Sequence, residues 1–135
     1  MAIFTATDYN LTIGGTDFSA VLVSCELTIE AEDVETTAMG DAYRTRVGGL
    51  KQGSVTLELH QDFAASATDT TIFTALGTSV AIVLKPTSAS VGATNPTYTF
   101  NALVTQTQPF NSSVGDLATM SITWPIDGAV VRATS

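Results

Sequence analysis

The sequence predicts a mainly β domain: a β-sandwich or partly open barrel with one short helix and a long loop between two strands. Three observations predict this class. Apolar and polar residues alternate with a period of two in several stretches, as on strands that bury one face. Threonine is frequent while charged residues make up only 13% of the chain, which is typical of β proteins. A chain of 135 residues can bury one core, so we predict a single domain over residues 1–135.

The two clearest strands span residues 24–32 and 54–62. Their apolar positions include Cys25, Leu27, Ile29, Val55, Leu57 and Leu59. Their polar positions carry acidic, hydroxyl or imidazole side chains: Glu26, Thr28, Glu30, Thr56, Glu58 and His60. Because successive side chains of a strand point to opposite faces, pairing of these strands would merge their polar positions into one acidic, hydroxyl-rich surface.

A long loop is predicted between these strands, over residues 34–50. Loops beyond about 12–15 residues without structure of their own are usually functional or disordered. This one carries anchoring side chains such as Met39 and Tyr43, which a solvated linker does not need. Doubled back on itself, it reaches roughly 28 Å at about 3.3 Å per residue, similar to the width of a globule of this length. We therefore expect it to contact a neighbouring molecule.

A hairpin and a helix flank this central region. The hairpin is predicted over residues 5–19, with its turn at Gly14 and Gly15. The helix is predicted to be capped by Thr68 with Asp69 in its first turn, and to end at Gly77. Its apolar stripe consists of Ile72, Phe73 and Leu76.

Four more strands are predicted in the last part of the chain. Residues 79–85 are almost continuously apolar, so this strand is expected to be buried on both faces. Residues 97–107 and 117–126 alternate, and a short strand over residues 129–133 follows a turn at Asp127 and Gly128.

The net charge of −8 argues against a protein that binds the nucleic-acid backbone. Such binding needs Lys and Arg to replace the counterions of the phosphates. An acidic surface would instead repel DNA and let it pass without capture. Acidity that serves solubility alone is the alternative interpretation.

Neither catalytic chemistry nor metal binding is indicated. His60 is the one histidine and has no nucleophile motif around it, and Cys25, the one cysteine, is expected to be a buried, inert thiol. The carboxylates follow no zinc or calcium spacing. We expect no enzymatic activity, cofactor or metal. We also expect neither a secretion signal nor a membrane span, and therefore a chain made and kept in a cytosol.

Residues 35–63 carry the most specific pattern, ETTAMGDAYRTRVGGLKQGSVTLELHQDF. They follow T-T-x-x-G-D-x-[YF]-R-x-R-x-x-G-[LI]-K and continue as an alternating strand. In this the chain resembles the tail tube (major tail) proteins of long-tailed bacteriophages. Members of that family stack as hexameric rings, and strands of all subunits close a β-barrel around a central channel. The resemblance implies a structural protein of the virion tail, present in the host cytoplasm before assembly.

The resemblance also implies roles for particular residues. Strands 24–32 and 54–62 would belong to the inner sheet, with residues 97–107 and 117–123 as further candidates. The channel would be lined by Glu26, Thr28, Glu30, Thr56, Glu58 and His60. The adjacent ring would be contacted by the loop residues Met39, Asp41, Tyr43, Arg44, Arg46 and Lys51. The implied partners are further copies of the chain, a tape-measure protein, and tail-tip and terminator proteins, with DNA only in passing and no membrane.

Other functions stay open at this point. The chain could be a head–tail connector, a head decoration protein or the related tube protein of a bacterial secretion system. It could also be a carbohydrate-binding β-sandwich, which needs an exposed aromatic platform. The tyrosine and tryptophan residues available for one are Tyr9, Tyr43, Tyr98 and Trp124.

Overall fold

Two antiparallel β-sheets and one short helix make up the part of the protein that the structure describes. The structure is a computed structural model and describes residues 3–65 and 67–135. The strands are β1 (Asn10–Ile13), β2 (Thr16–Asp17), β3 (Leu22–Glu35), β4 (Arg46–His60), β5 (Ser79–Lys85), β6 (Thr97–Leu103), β7 (Thr119–Pro125) and β8 (Val131–Ala133). The helix α1 is Thr68–Ala75, and a 3₁₀ turn at Ser19–Val21 leads into β3. The predicted mainly β class with one short helix is confirmed.

The strands form two separate sheets that share no strand. One sheet has five strands in the order β2-β1-β5-β6-β8, and the other has three in the order β3-β4-β7. Neither closes into a barrel within the single chain. The fold is therefore a sandwich, and the multi-subunit barrel stays a prediction, as does the single domain over residues 1–135.

The core lies between the sheets and is built by the alternating positions of the strands. The fully buried side chains include Leu11, Ile13, Val55, Leu57, Leu59, Ile82, Met120, Ile122 and Trp124. Each large apolar side chain removed from water contributes about 1.5–3 kcal/mol. The period-two pattern read from β4 and β7 thus corresponds to the buried faces of those strands.

The first hairpin has its turn where the glycines predict it. Gly14 and Gly15 both have positive φ, +57° and +88°, as tight hairpin turns require. The hairpin is shorter than predicted, because β1 begins at Asn10 and not at residue 5. It joins the five-stranded sheet through pairing of β1 with β5.

Helix α1 lies where it is predicted but packs differently. Its N-cap is Ala67, and the proposed cap Thr68 is a buried residue of the first turn. Gly77 follows the helix with a φ of +85°, as expected. Of the predicted apolar stripe only Ile72 is buried, while Phe73 and Leu76 are exposed. Adjacent helical residues point about 100° apart, so a short helix that buries one side encloses only one of the pair 72 and 73.

The prediction that strand 79–85 is buried on both faces is wrong. Ile82 and Leu84 face the core, whereas Ala81 is exposed and Val83 is half-buried. The outer face of the five-stranded sheet lies at the surface, where apolar residues this small are tolerated.

The strand predicted over residues 97–107 also differs. β6 ends at Leu103 and pairs with β5 and β8, so it does not share a sheet with β3 and β4 as proposed. The chain then passes beside β7. There the Trp124 Nε1–H donates to the Gln106 carbonyl at 3.0 Å, and the Ser121 N–H donates to Gln108 Oε1 at 3.3 Å. β7, the other candidate, does pair with β4.

Candidate functional site

β3 and β4 continue beyond the sandwich as a two-stranded arm, which we define as residues 31–51. The ladder pairs Ala31 with Lys51, and Val34 with Val47. Every residue from 29 to 52 is exposed. The predicted bounds of the loop, 34–50, are therefore wrong, because backbone pairing continues and only residues 36–45 connect the strands. The paired part projects roughly 20 Å at about 3.3 Å per residue.

Ion pairs and hydroxyl contacts hold the arm together. Arg46 Nη1 lies 2.6 Å from Asp33 Oδ2, and Arg44 Nη1 lies 3.2 Å from Glu35 Oε1. All four side chains are substantially exposed, so each pair stabilises the arm by at most about 1 kcal/mol. Next to them, the hydroxyl oxygens of Thr36 and Thr45 lie 2.8 Å apart, within hydrogen-bond distance.

The six predicted contact residues divide between the tip and the strands of the arm. Met39, Asp41, Tyr43 and Arg44 lie in the connecting segment, whereas Arg46 and Lys51 belong to β4. The Asp41 carboxylate accepts the Ala38 N–H at 2.8 Å, which shapes the tip. Met39 is fully exposed and Tyr43 is 86% exposed. Large apolar side chains displayed together in this way mark interaction surfaces.

The six predicted channel residues lie together on one face of the three-stranded sheet. The register places Glu26 opposite Thr56, and His60 opposite Thr119. This polar face, turned away from the core, consists of Ser24, Glu26, Thr28, Glu30, Gln52, Ser54, Thr56, Glu58, His60, Thr119, Ser121 and Thr123. The β7 hydroxyls were absent from the sequence-based set, although the alternation of Met120, Ile122 and Trp124 with them is the signal that places them here.

Charge is distributed unevenly over the polar face. The carboxylates lie on β3 and β4, as Glu26, Glu30 and Glu58, while β7 offers only hydroxyls. Thr56 and Thr123 are in hydrogen-bond contact across the strands, with their oxygens 3.2 Å apart. The face therefore combines acidic stripes with a neutral hydroxyl stripe, and it presents no Lys or Arg among the positions in that list.

The two edges of the three-stranded sheet are β3 and β7. Each has one side without a strand partner among the described residues. On β7 this side is partly covered by its own chain, because the Ser121 N–H donates to Gln108 Oε1 and the Thr119 N–H donates to Ser112 Oγ. Unpaired edges attract pairing with another chain. A register shift between Leu22 and Ser24 bulges β3 at Val23, and Pro125 ends β7, so regular pairing is interrupted at one end of each edge strand.

An apolar groove opens beside β3 near the root of the arm. It has a volume of about 440 Å³, and its walls include Tyr9, Leu27 and Tyr98. Cys25 also lies there, packed against the core but only half-buried, because β3 is an edge strand. The prediction of a core thiol is therefore confirmed in position, and its full burial is wrong. Partial burial raises the pKa of the Cys25 thiol above its usual value.

Residues 3–65 and 67–135 contain neither a metal-binding cluster nor a membrane-spanning helix. No group of three or more His, Cys, Asp or Glu residues there is arranged to hold a metal ion. No helix in the same ranges has the length and apolar character needed to cross a membrane.

Gly53 lies at the root of the arm, where the neighbouring strand approaches too closely for a side chain. A Cβ at this position would lie 2.5 Å from the Thr28 carbonyl oxygen and 2.8 Å from Ile126 Cδ1. Because the first neighbour is backbone, Gly53→Ala is expected to lower the free energy of unfolding by about 1–3 kcal/mol, measured by urea denaturation. Gly48→Ala is the matched control, since nothing lies within 4 Å of its added Cβ, and it should change stability by less than about 0.5 kcal/mol. Equal stability of both variants would contradict the close approach.

Three solved assemblies contain chains of similar structure. A chain in the virion of a native gene transfer agent (GTA) particle matches with a TM-score of 0.72 at 15% identity, covering 97% of this chain and 99% of that one. A chain in the tail of an empty GTA particle, refined helically with C6 symmetry, matches at 0.65 and 16% identity over 91% and 92%. A chain in the extended PVC sheath–tube complex of an extracellular contractile injection system matches at 0.62 and 14% over 95% and 89%.

This chain shares its fold with components of tail and sheath–tube assemblies. The likeness covers almost the whole of both chains in each case, so no large part of the fold is left unmatched. The resemblance drawn from residues 35–63 is thereby confirmed at the level of the fold. No protein-family model matches the sequence, and comparison with curated proteins finds no match.

Proposed function

We propose that the chain is a structural virion protein that polymerises as stacked hexameric rings into a hollow tail tube. The observation that carries the proposal is the shared fold with a chain of a tail refined in C6 symmetry, over 91% of this chain. The C6 symmetry of that tail is the basis for proposing six subunits in each ring. Its helical refinement is the basis for proposing that the rings repeat along an axis. An enzymatic role forms no part of this proposal.

Ring formation would use the open edges of the three-stranded sheet. In a ring, β3 of one subunit would lie next to β7 of its neighbour, and strand pairing would replace the side-chain contacts that Gln108 and Ser112 make with the β7 edge. Each edge would then gain a partner and the sheet would close into a barrel. Thr56 and Glu58 of β4 then face the channel, together with Glu26 of β3. The lining would be acidic and rich in hydroxyls, and repulsion from phosphates would let DNA pass without being held.

The arm would join one ring to the next. It projects beyond the sandwich and carries exposed apolar side chains, notably Met39 and Tyr43, that its own chain leaves uncovered. Arg44, Arg46 and Lys51 add charge, which sets register and orientation at an interface more than affinity. A tape-measure protein and tail-tip or terminator proteins complete the proposed partners, in a virion tail assembled in the host cytoplasm.

A tube of a contractile injection system is the second candidate, because a sheath–tube complex of that kind is among the structural neighbours. The carbohydrate-binding alternative needs several exposed aromatic side chains on one surface, and the tyrosine and tryptophan residues do not supply them. Trp124 is buried, Tyr9 and Tyr98 are half-buried, and Tyr43 stands alone at the tip of the arm.

Negative-stain electron microscopy of the purified chain over a concentration series tests the proposal. Long hollow tubes with regular striations are expected. Isolated closed rings or globular particles at every concentration would contradict a tube protein and favour a connector or decoration role.

The acidic channel can be tested by charge reversal on tubes. Glu26→Lys with Glu30→Lys is expected to make assembled tubes retain short duplex DNA in a sedimentation assay, with affinity that falls steeply as salt rises. The control is Asp8→Lys with Asp127→Lys, which changes the net charge equally at exposed positions off the polar face. Equal DNA retention by the two variants would show that Glu26 and Glu30 do not line the channel.

A further inference from the structure

The two faces of the arm differ in chemical character. One face carries Asp33, Glu35 and Arg46, with the ion pairs described above. The other carries Val34 and Val47, which the ladder places directly opposite each other. Neighbouring residues such as Arg46 and Val47 lie on opposite faces, because side chains alternate along a strand. We call the face that carries Val34 and Val47 the valine face.

The valine face is open to water and mostly apolar. Val34 and Val47 are 39% and 53% exposed. Toward the tip, the face continues with the threonine pair, whose hydroxyls lie within hydrogen-bond distance of each other. Toward the root lie Glu32 and Gly49, and a Cβ added at Gly49 would be 3.2 Å from Val34 Cγ2. Because Gly49 has no side chain, the valines border a flat surface that another molecule can approach closely.

A two-stranded ribbon of this kind needs a partner surface. Isolated two-stranded hairpins are at best marginally stable in water, and every residue from 29 to 52 is exposed. The ion pairs on the opposite face are exposed too, so they contribute little to stability. Packing of the valine face on another apolar surface would supply the missing stabilisation.

An aromatic pair lies beyond the opposite end of β4. The ring centroids of Phe63 and Phe110 are 5.8 Å apart, and these residues are 55% and 87% exposed. Gln61 holds the two segments together, since its Nε2 donates to the Pro109 carbonyl at 3.0 Å. Paired rings that are open to water mark protein contacts, and aromatic rings pack favourably on β-branched side chains such as valine.

A translation along β4 brings the aromatic pair of a second copy to the valine face of the first. Phe63 follows Val47 by sixteen positions, which is roughly 53 Å at about 3.3 Å per residue. With strands tilted by about 35–45° in a barrel, this displacement gives an axial repeat of about 37–43 Å. The contact joins two different surfaces, so it repeats along an axis without closing, as stacked rings require.

We propose that the valine face of the arm packs on the Phe63–Phe110 pair of a copy in the next ring. Val34 and Val47 lie against the two rings in this contact. The opposite face keeps Arg46 available for the polar contact already proposed for it. This inference rests on the proposed tube function and names the surface that receives the arm.

Two neighbouring positions test which face of the arm is covered. Val47→Ser is expected to raise the critical concentration for tube formation at least tenfold, because it removes apolar contact with the aromatic rings. Gly48→Ser is the matched control on the opposite face, where nothing lies within 4 Å of an added Cβ. It should form tubes at the wild-type concentration. Both variants should keep the monomer melting temperature, since both positions are exposed.

The receiving surface is tested in the same assay. Phe110→Ser is expected to raise the critical concentration at least tenfold and to leave the monomer melting temperature unchanged, because this side chain is already 87% exposed. Val131→Ser, a change of another exposed residue on β8, should form tubes as the wild type does.

Cross-linking of assembled tubes tests whether the contact runs between rings. In a Cys25→Ala background, which removes the native thiol, Val47→Cys with Asn111→Cys places thiols on the two surfaces and keeps both aromatic rings. A short bismaleimide cross-linker should give a ladder of products longer than six subunits on a denaturing gel, because each copy is linked to the next ring. Gly48→Cys with Asn111→Cys, the matched control, should give no ladder.

The outcomes separate this contact from the tube function. Wild-type tubes with equal critical concentrations for Val47→Ser and Gly48→Ser, or with no change for Phe110→Ser, would overturn the contact and leave the tube function standing. A cross-linked ladder that ends at six subunits, or one that the Gly48 control reproduces, would do the same. A wild-type chain that forms no tube at any concentration would overturn the tube function and the contact with it.

Discussion

Tube formation is expected to be abolished when both arginines of the arm are reversed, as Arg44→Glu with Arg46→Glu. The substitutions place like charges where ion pairs of 3.2 and 2.6 Å stand, beside Glu35 and Asp33. Repulsion between the like charges then opens the arm. The substitutions also remove the two cations that are proposed to contact the next ring. Because these residues are exposed, the free energy of unfolding of the monomer should fall by less than about 1 kcal/mol. Tubes are counted by electron microscopy, and folding is followed by circular dichroism.

A quadruple variant separates the two contributions of these arginines. Adding Asp33→Arg and Glu35→Arg to the double reversal restores both ion pairs with opposite polarity. If the arginines contact the neighbouring ring directly, the quadruple variant should still form no tubes. Full recovery of tubes would mean that the pairs only stiffen the arm. Normal tubes from the original double variant would contradict any role of the two arginines in assembly.

Trp124→Ala is expected to lower the free energy of unfolding by about 3–5 kcal/mol, the largest effect on stability that we expect from one substitution. The indole is fully buried on β7, opposite Val55 of β4. Its removal leaves a cavity between the sheets and frees the segment at Gln106 that it holds at the edge of β7. The midpoint of urea denaturation measures the loss.

Trp124→Phe provides the matched control. It keeps most of the apolar volume and loses the 3.0 Å hydrogen bond to the Gln106 carbonyl. A smaller loss, about 1–3 kcal/mol, is expected from that partner and the remaining volume change. A loss below about 1 kcal/mol for Trp124→Ala would contradict the packing described for the core.

Much of the polar face could be predicted from the sequence. Alternation of Leu57 and Leu59 with Thr56, Glu58 and His60 assigns each residue to a face, because side chains of a strand alternate strictly. Antiparallel pairing of β3 with β4 then places these residues on one surface with Glu26, Thr28 and Glu30 of β3. Their role in a channel stays a prediction.

The arm was harder to predict. Glycines and charges over residues 34–50 are typical of a loop, and no core alternation extends into that segment. Its strands are formed by a backbone ladder that pairs Val34 with Val47 and Glu35 with Arg46. Diagonal ion pairs, from Asp33 to Arg46 and from Glu35 to Arg44, add to it. Such pairs depend on which residues the ladder brings opposite each other, and the local composition carries no signal for that.

The sequence by itself determined the β class, the turn at Gly14 and Gly15, the single helix, and which side of β4 and β7 is apolar. These features depend on local backbone preference and on periodicity, which a linear pattern records. The tertiary structure alone decided that β6 joins the five-stranded sheet, that the arm is a paired ladder, and that residues 106–108 lie beside β7. Each of these depends on contacts between residues that are distant in the chain. A local sequence pattern does not record which distant residue will be the partner.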